Sequence, residues 1–267
     1  MKKLFALMLA LLMVVSMAAC SKDGESGDDL QNYEEDEIVI DHEVIGDETF
    51  YFDDVDSETV MITGYQGNDV PHTLNIPTVL NNKTVVEIAD KAFYFCSKIN
   101  VINIPETVTK IGNYAFAGCS LVTTVNLPST LTSIGTGAFY ECSALTAITI
   151  PTSLKVISDN AFYLCTALTS VTVPGSVEVI GNAAFFGCSA LNTVVLSDGV
   201  AMVGAQAFQK CSALENLTLP STLTLDYIGT DAFAACEKLT KVTCVAGTEA
   251  ETYVKTILKL EAVAPAA

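Results

Sequence analysis

A five-residue pattern, Ala-Phe-x-x-Cys, occurs seven times in the chain and is the strongest constraint on its fold. Successive phenylalanines lie 23 residues apart, and the last two lie 25 apart: Phe93, Phe116, Phe139, Phe162, Phe185, Phe208 and Phe233. Self-similarity with a fixed period of a few tens of residues is typical of solenoids, in which each repeat forms one coil and contacts only its neighbours. The sequence therefore predicts a solenoid with 23-residue coils.

The residues that follow each cysteine predict one short strand in every coil. Apolar side chains occur three, six and eight positions after the cysteine, as in Leu145, Ile148 and Ile150. The last two alternate with the period of a β-strand that turns this face inward. Proline, which lacks a ladder donor, ends the strand at Pro105, Pro128, Pro151, Pro174 and Pro220. A second apolar pair and a glycine such as Gly135 come next, and we expect positive φ at this glycine.

The cysteines of the repeat are expected to be buried. We predict a short helical turn for each Ala-Phe-x-x-Cys unit, which puts Ala138, Phe139 and Cys142 on one inward face. Cysteines in exported proteins ordinarily form disulfides, but side chains stacked in one column run parallel rather than toward each other. They then behave as small hydrophobic groups. The chain has neither a Cys-x-x-Cys pair nor a histidine partner for one, so we predict no metal site and no cofactor.

The full repeat, Leu-x-x-Ile-x-Ile-Pro-x-x-Leu-x-x-Ile-Gly-x-x-Ala-Phe-x-x-Cys, resembles the BspA-type leucine-rich repeats of bacterial surface proteins over residues 64–245. The resemblance implies a right-handed leucine-rich-repeat solenoid with a parallel β-sheet along one side. It also implies a scaffold rather than an activity, in a family that includes adhesins. The chain departs from the commoner leucine-rich repeats, which carry an inward asparagine after the strand.

The N-terminal residues resemble the export signal of a bacterial lipoprotein. Two lysines and an apolar run at 4–15 are followed by small residues and then by Cys20. The run is too short to span a membrane, which indicates a signal peptide over 1–19. The resemblance of the cleavage region to a lipobox implies that Cys20 is lipidated and anchors the chain to the cell envelope, outside the cytoplasmic membrane and exposed at the surface. An ordinary signal peptide with an incidental cysteine is the alternative.

Acidic residues are concentrated near the N-terminus. The formal net charge is −18, and residues 21–60 carry 16 acidic side chains against one lysine. Every basic residue is a lysine, so the composition does not favour nucleic-acid binding or a polybasic membrane patch. We expect a lipid-anchored acidic tether at 20–37, because so polar a segment cannot bury enough surface to fold.

The segment before the repeats is expected to cover the open end of the solenoid. Apolar residues at 50–52 and 59–63 flank an acidic turn and predict a β-hairpin. We assign this hairpin to an N-terminal β cap at 38–73, and the repeat solenoid to 74–247.

The segment 248–267 predicts a C-terminal capping helix followed by a loose tail. Thr248, with Glu251 three residues later, fits a capping box. The apolar residues at helical spacing are expected to close the core: Ala250, Tyr253, Val254 and Ile257.

Two repeated surfaces are candidate binding sites. The first is the outward face of the strands, which is polar and nearly uncharged: Asn103, Thr124, Asn126, Thr149, Ser170, Thr172, Thr193, Asn216 and Thr218. This face offers hydrogen bonds to a peptide or a glycan, although threonine also simply suits an exposed strand. The second is an aromatic stripe of residues that follow the repeat phenylalanines: Tyr94, Tyr140, Tyr163 and Phe186. Aromatic rings contact sugars or proteins, but these rings also suit packing that seals the convex face.

The sequence contains no recognisable catalytic motif. His42 and His72 lie outside any motif, and neither a nucleophile elbow nor a phosphate-binding glycine loop occurs. We therefore predict a non-catalytic cell-surface lipoprotein that binds a protein or other macromolecule through a rigid repeat face, as in adhesion. The alternative is a glycan-binding surface protein for attachment or nutrient capture.

Overall fold

The computed structural model describes residues 40–67 and 70–265. The predicted signal peptide, Cys20 and the acidic tether lie outside the described residues.

Most of the regular structure consists of short strands. The strands are β1 His42–Ile45, β2 Glu48–Asp54, β3 Thr59–Gln66, β4 His72–Asn75, β5 Val79–Leu80, β6 Lys83–Ile88, β7 Ile99–Asn103, β8 Lys110–Ile111, β9 Thr124–Asn126, β10 Ser133–Ile134, β11 Val156–Ile157, β12 Ser170–Val173, β13 Val179–Ile180, β14 Thr193–Leu196, β15 Met202–Val203, β16 Asn216–Thr218, β17 Lys241–Thr243 and β18 Glu261–Val263. The helical segments are a 3-10 turn at Leu225–Tyr227, helix α1 at Glu249–Tyr253 and a π-helical turn at Val254–Leu258.

The strands form parallel ladders along two sides of a solenoid. The front sheet runs β4-β7-β9, continues through two isolated bridges at Ala147, and ends with β12-β14-β16-β17-β18. The rear sheet contains β1-β2-β3-β6-β8-β10, with β5 paired to β6, and then β11-β13-β15. Paired residues such as Val171 and Val194 are one repeat apart. The solenoid and its coil length were predicted; the rear sheet adds a second ladder to the single one that the resemblance implied.

The Ala-Phe-x-x-Cys units form the third side of each coil, here called the Ala-Phe side, and are not helical turns. The N–H groups of Gly137, Phe139 and Glu141 donate to carbonyl groups of the next coil, at 2.9, 2.9 and 2.7 Å. Because these donors are used between coils, they cannot form the repeated local bonds of a helix. The backbone is left-handed two residues before and two after each phenylalanine, at Lys91, Phe95, Tyr114, Gly118, Gly137, Glu141, Asn160, Leu164, Ala183, Gly187, Gln206, Lys210, Asp231 and Ala235.

The inward orientation of the unit is confirmed despite the different backbone. The repeat phenylalanines stack in one buried column, with ring centroids 4.9–5.5 Å apart and interplanar angles of 1–12°. The cysteines form a second column: the Cys142 thiol donates to the carbonyl of Phe116 at 3.2 Å, and its neighbours repeat this contact. Burial raises the pKa of Cys142 and Cys165 well above the usual thiol value. The cysteines of this column from Cys119 to Cys236 are free thiols.

The repeated glycines are required for a reason other than the positive φ that we expected. Gly135 is outside the left-handed region. A β-carbon at Gly135 would lie 2.5 Å from the backbone nitrogen of Asn113 in the preceding coil, and Gly112, Gly181 and Gly204 are equally crowded. Glycine therefore permits neighbouring coils to approach closely at this corner.

The N-terminal cap contains the expected hairpin and one further strand. Strands β2 and β3 pair antiparallel, β1 pairs with β2, and β3 continues in parallel into β6 of the solenoid. Phe50, Phe52 and Ile62 are buried against the first coil. In the acidic turn, the Asp56 carboxylate accepts from the N–H groups of Glu58 and Thr59, which lowers the pKa of Asp56.

The C-terminal segment differs from the expectation in two respects. Ile257 is 62% exposed, because the π-helical turn changes the helical phase and packs Leu258 against the core instead. The segment after the helix is not loose throughout, since β18 pairs with β17 and ends the front sheet. Tyr253 covers Phe233 at a centroid distance of 6.3 Å, so the helical segment does close the phenylalanine column.

Candidate binding surfaces

The front sheet places every predicted strand-face residue on the outward side of the solenoid. These side chains are exposed or half-buried and alternate with buried apolar ones: Asn103, Thr124, Asn126, Thr149, Ser170, Thr172, Thr193, Asn216 and Thr218. Parallel pairing aligns them in columns, as in the series Thr124, Ala147 and Ser170. The columns carry no charge until Lys241 near the end of the sheet. The result is an uncharged, largely polar surface along the front sheet, interrupted by Val101, Ala147 and Val195.

An asparagine ladder occupies the N-terminal end of this surface. The side-chain amide of Asn126 donates to Oδ1 of Asn103 at 2.6 Å, and Asn103 donates to Oδ1 of Asn75 at 2.7 Å. The Oδ1 atom of Asn126 is left as the acceptor at the end of the ladder. Sequence reasoning omitted Asn75, although the shared Asn-Ile-Pro context of Asn75 and Asn103 was a usable signal.

A threonine column flanks the strand face and was also missed. The hydroxyl groups of Thr123, Thr146 and Thr169 each donate to a carbonyl group of the preceding coil, at 3.2 Å in every case. Their 23-residue spacing was visible in the sequence. Because each hydroxyl group donates its hydrogen bond within the protein, it can only accept hydrogen bonds from a ligand or solvent. The front surface therefore combines fixed acceptors with the amide N–H donors of the asparagine ladder.

The aromatic stripe is a closed stack. The rings of Tyr140, Tyr163 and Phe186 lie face to face, with centroids 4.7 and 4.8 Å apart and planes within 3°. At one end of the stack, Tyr114, which sequence reasoning missed, contacts Tyr140 with tilted rings. At the other end, the Lys210 ammonium group lies 5.1 Å from the Phe186 ring centroid. The ring faces are thus occupied within the protein, and mainly ring edges face solvent.

Tyr94 does not join this stack. The buried Ala117 occupies the equivalent position in the coil between Tyr94 and Tyr140. Tyr94 instead contacts Phe95 edge to face, with ring centroids 4.5 Å apart. Phe95 is 53% exposed and lies over Gly118, where a β-carbon would be 2.7 Å from the ring. Phe95 is therefore the accessible aromatic side chain of this side, and nothing in the repeat pattern marked it.

The rear sheet presents an apolar column that was not expected. Val156, Val179 and Met202 are partners in successive parallel strands, and Val156 and Met202 are 44% and 37% exposed. The equivalent positions in earlier coils are polar, for example Lys110, which forms an ion pair with Glu87 at 3.0 Å. This column is short and lacks the length of the front surface.

The cap holds a cluster of polar side chains around Tyr65. The Tyr65 hydroxyl donates to Glu48 at 2.5 Å and lies 2.8 Å from Nε2 of His72, whose Nδ1 lies 2.9 Å from the carbonyl oxygen of Val70. Burial, and then the neighbouring Glu48 carboxylate, raise the pKa of Tyr65 far above its usual value. The cluster joins the cap to the first coil and is only partly open to solvent.

The described residues contain neither a group of potential metal ligands nor a long apolar helix. Within 40–67 and 70–265, no three potential ligands among His, Cys, Asp and Glu come close enough to hold an ion. In the same part of the chain, no helix has the length and apolarity to cross a bilayer.

Stacked coils with a 23-residue period, parallel ladders and an internal phenylalanine column define a leucine-rich-repeat solenoid. The family model for the BspA type leucine rich repeat region matches six copies, over residues 72–192 and 155–254. The chain belongs to this family.

The solved structures that match this chain include bacterial leucine-rich repeat proteins. The T. pallidum leucine rich repeat protein TpLRR is 27% identical, with a TM-score of 0.64 over 85% of this chain and 95% of that one. A leucine rich cell surface protein from Faecalibacterium prausnitzii is 22% identical, with a TM-score of 0.37 over 76% and 88% of the two chains. A Bacteroides ovatus leucine-rich repeat protein is 20% identical, with a TM-score of 0.32 over 84% and 100%. No curated protein matches the chain.

Proposed function

We propose that this protein is a cell-surface lipoprotein that binds a protein or other macromolecule through the outward face of its front sheet. The observation that supports this proposal most directly is the uncharged, largely polar surface aligned by the parallel register. A rigid surface of this kind needs no catalytic group to bind an extended partner, because its donors and acceptors are already fixed in position.

A non-catalytic role fits the family and the chemistry of the described side chains. BspA-type repeats are scaffolds, and the cysteines of the repeat column from Cys119 to Cys211 are buried thiols with raised pKa values, which makes them poor nucleophiles. The cap cluster around Tyr65 has its polar atoms directed at one another rather than at an open cavity.

The geometry favours a protein ligand over a glycan. Sugar recognition by aromatic side chains relies on exposed ring faces, whereas Tyr140, Tyr163 and Phe186 cover one another's faces. The front surface offers both hydrogen-bond donors and acceptors, which can pair with the carbonyl and amide groups of an extended polypeptide. A glycan ligand held by hydrogen bonds alone remains the second candidate, on the evidence of the asparagine ladder.

A binding panel tests this proposal. The full chain is tested on immobilised extracellular-matrix proteins and on a glycan array, with heat-denatured protein as the control. We expect specific binding to at least one matrix protein and none to the array. Binding to glycans alone would replace the leading proposal with the second candidate, and binding to neither, together with activity in an enzyme screen, would contradict both.

The proposed anchor has its own test. The lysine-flanked apolar segment and the small residues before Cys20 support export and lipidation. Metabolic labelling with a fatty acid in a bacterial host should label the wild-type chain, and Cys20→Ala should abolish that label. Cys244→Ala, which changes a buried cysteine in the last coil, is the matched control and should stay labelled. Equal labelling of the wild type and Cys20→Ala would contradict the lipid anchor.

A further inference from the structure

The rear ladder is interrupted at one place, between β10 and β11. In the intact coils, the N–H of the corner glycine donates to a backbone carbonyl group of the preceding coil. Examples are Gly135 to Ile111 at 2.8 Å and Gly181 to Ile157 at 2.7 Å. Ser158 occupies this corner at the interruption. Its hydroxyl, rather than its N–H, donates to the carbonyl group of the preceding coil, at Ile134.

A second backbone bond is lost at the same place. The N–H of Thr132 donates to Thr109 at 2.9 Å, and that of Glu178 donates to Lys155 at 2.8 Å. Among the described residues, the intervening N–H of Lys155 makes no such bond to Thr132. The front sheet is also thin here, because an isolated bridge between Thr124 and Ala147, rather than a pair of strands, joins the two coils.

The β-carbon of Ser158 provides the physical cause. A β-carbon at the equivalent Gly135 or Gly181 would lie 2.5 Å from a backbone nitrogen of the preceding coil, which is too close for any real contact. A serine at this corner therefore requires the two coils to move apart. Ala89 also carries a β-carbon at this corner and keeps its bond to Ile62, but it faces a cap strand rather than a preceding coil.

The Ala-Phe side stays connected across the interruption. The N–H groups of Phe139 and Glu141 donate to Ala161 and Tyr163 at 2.9 and 2.7 Å. The rings of Phe139 and Phe162 stack at 5.5 Å. One side of the coil is thus fully bonded while the rear side has lost backbone bonds.

We propose that Ser158 creates a seam at which the solenoid opens first, with the Ala-Phe side as the hinge between an N-terminal and a C-terminal half. Opening at the seam changes the spacing between Thr124 and Ala147 on the front surface. The curvature of the front surface can thereby adjust to a partner without unfolding either half. This inference concerns motion and stands whether or not the front surface binds a ligand.

Hydrogen exchange at two matched threonines tests the seam. The N–H of Thr146 donates to Thr123 across the seam at 3.2 Å, and the N–H of Thr169 donates to Thr146 across the next interface at 3.1 Å. Both lie on the front side, away from Ser158, so a purely local effect at the serine would leave them equal. The interface that the Thr146 amide crosses lacks backbone hydrogen bonds on its rear side. The Thr146 amide should therefore exchange about tenfold faster than that of Thr169.

Two substitutions of Ser158 separate its β-carbon from its hydroxyl. Ser158→Gly removes the β-carbon and should slow exchange at Thr146 to the rate of Thr169. Ser158→Ala keeps the β-carbon and loses the hydroxyl bond to Ile134, so exchange at Thr146 should become faster than in the wild type. Equal exchange at the two threonines in the wild type, or a rate at Thr146 that Ser158→Gly leaves unchanged, overturns the proposal.

Discussion

Replacing Ala183 with glycine is expected to stabilise the solenoid, although glycine usually destabilises a folded chain. Ala183 has a φ of 51°, in the left-handed region, two residues before Phe185. A β-carbon costs about 1–2 kcal/mol in this conformation, and glycine avoids the cost. Glycine loses roughly 0.5–1 kcal/mol more backbone entropy on folding, which leaves a net gain of about 0–1.5 kcal/mol. Its N–H can still donate to Ala205, as the alanine does at 2.9 Å.

The adjacent Ala184 is the matched control. Ala184 is buried and lies outside the left-handed region. Ala184→Gly removes a buried methyl group, worth about 0.8 kcal/mol, and adds the same entropy cost, so we expect a loss of about 1.5 kcal/mol. Equilibrium unfolding in urea measures the free energy of unfolding of both variants and the wild type. If Ala183→Gly proves as destabilising as Ala184→Gly, the left-handed backbone of the Ala-Phe side is not strained and the reasoning fails.

Three further predictions concern the core and the C-terminal cap. Phe139→Ala should lower the free energy of unfolding by about 3–5 kcal/mol, because Phe139 is buried between two stacked rings. Tyr140→Ala, on the half-buried aromatic stripe, should lower it by roughly 1–2 kcal/mol. Similar losses for the two variants in urea unfolding would contradict the assignment of core and surface. Burial raises the pKa of Cys188 from 9.0 to about 12, so stability should be fully present below pH 9 and fall as the pH rises toward 12, and Cys188→Ala should make the decline of the urea midpoint less steep. An unchanged slope would show that this thiol does not contribute. Ile257→Lys should leave the melting temperature nearly unchanged because Ile257 is exposed, whereas Leu258→Lys should lower it because Leu258 packs against the core. The reverse order would support the regular helix that the sequence predicted.

The periodic part of the fold was predictable because every coil repeats the same burial pattern. The apolar positions after each cysteine specify which side of the strand is buried, so the outward residues of the front surface followed directly. Thr149 and Thr172 are outward for the same reason that Ile148 and Ile150 are buried. The inward phenylalanine and cysteine columns were also correct, since any compact coil must turn the most apolar residues of its repeat inward.

Features that depend on contacts between coils were not predictable from a single repeat. The Ala-Phe-x-x-Cys backbone bonds to the next coil, and a local reading of the sequence sees only helical spacing. Gly135 was assigned a turn with positive φ, whereas its role is set by the distance to Asn113 in the neighbouring coil. The closed faces of the Tyr140 and Tyr163 rings likewise depend on the 4.7 Å separation of the stacked rings, which the sequence does not state.

Departures from the repeat were more informative than its consensus. The sequence showed that Ser158 replaces the corner glycine in one regular coil. The effect of this replacement on the rear ladder follows only from the close approach of neighbouring coils at the other corner glycines. Phe95 likewise stands at a variable position, and its exposure follows from the glycine at the equivalent position in the next coil, Gly118.

Binding by surface variants tests the central claim most directly. Thr149→Lys combined with Thr172→Lys places two charges in the middle of the front surface without touching the core, and Met202→Lys places one on the rear sheet. Surface plasmon resonance on the matrix protein that gives the strongest signal compares these variants with the wild type. The front-surface variant should lose about tenfold or more in affinity, and the rear variant should bind as the wild type does. Full binding by the front-surface variant, or loss of binding by the rear variant alone, would contradict the assignment of the front sheet as the binding surface.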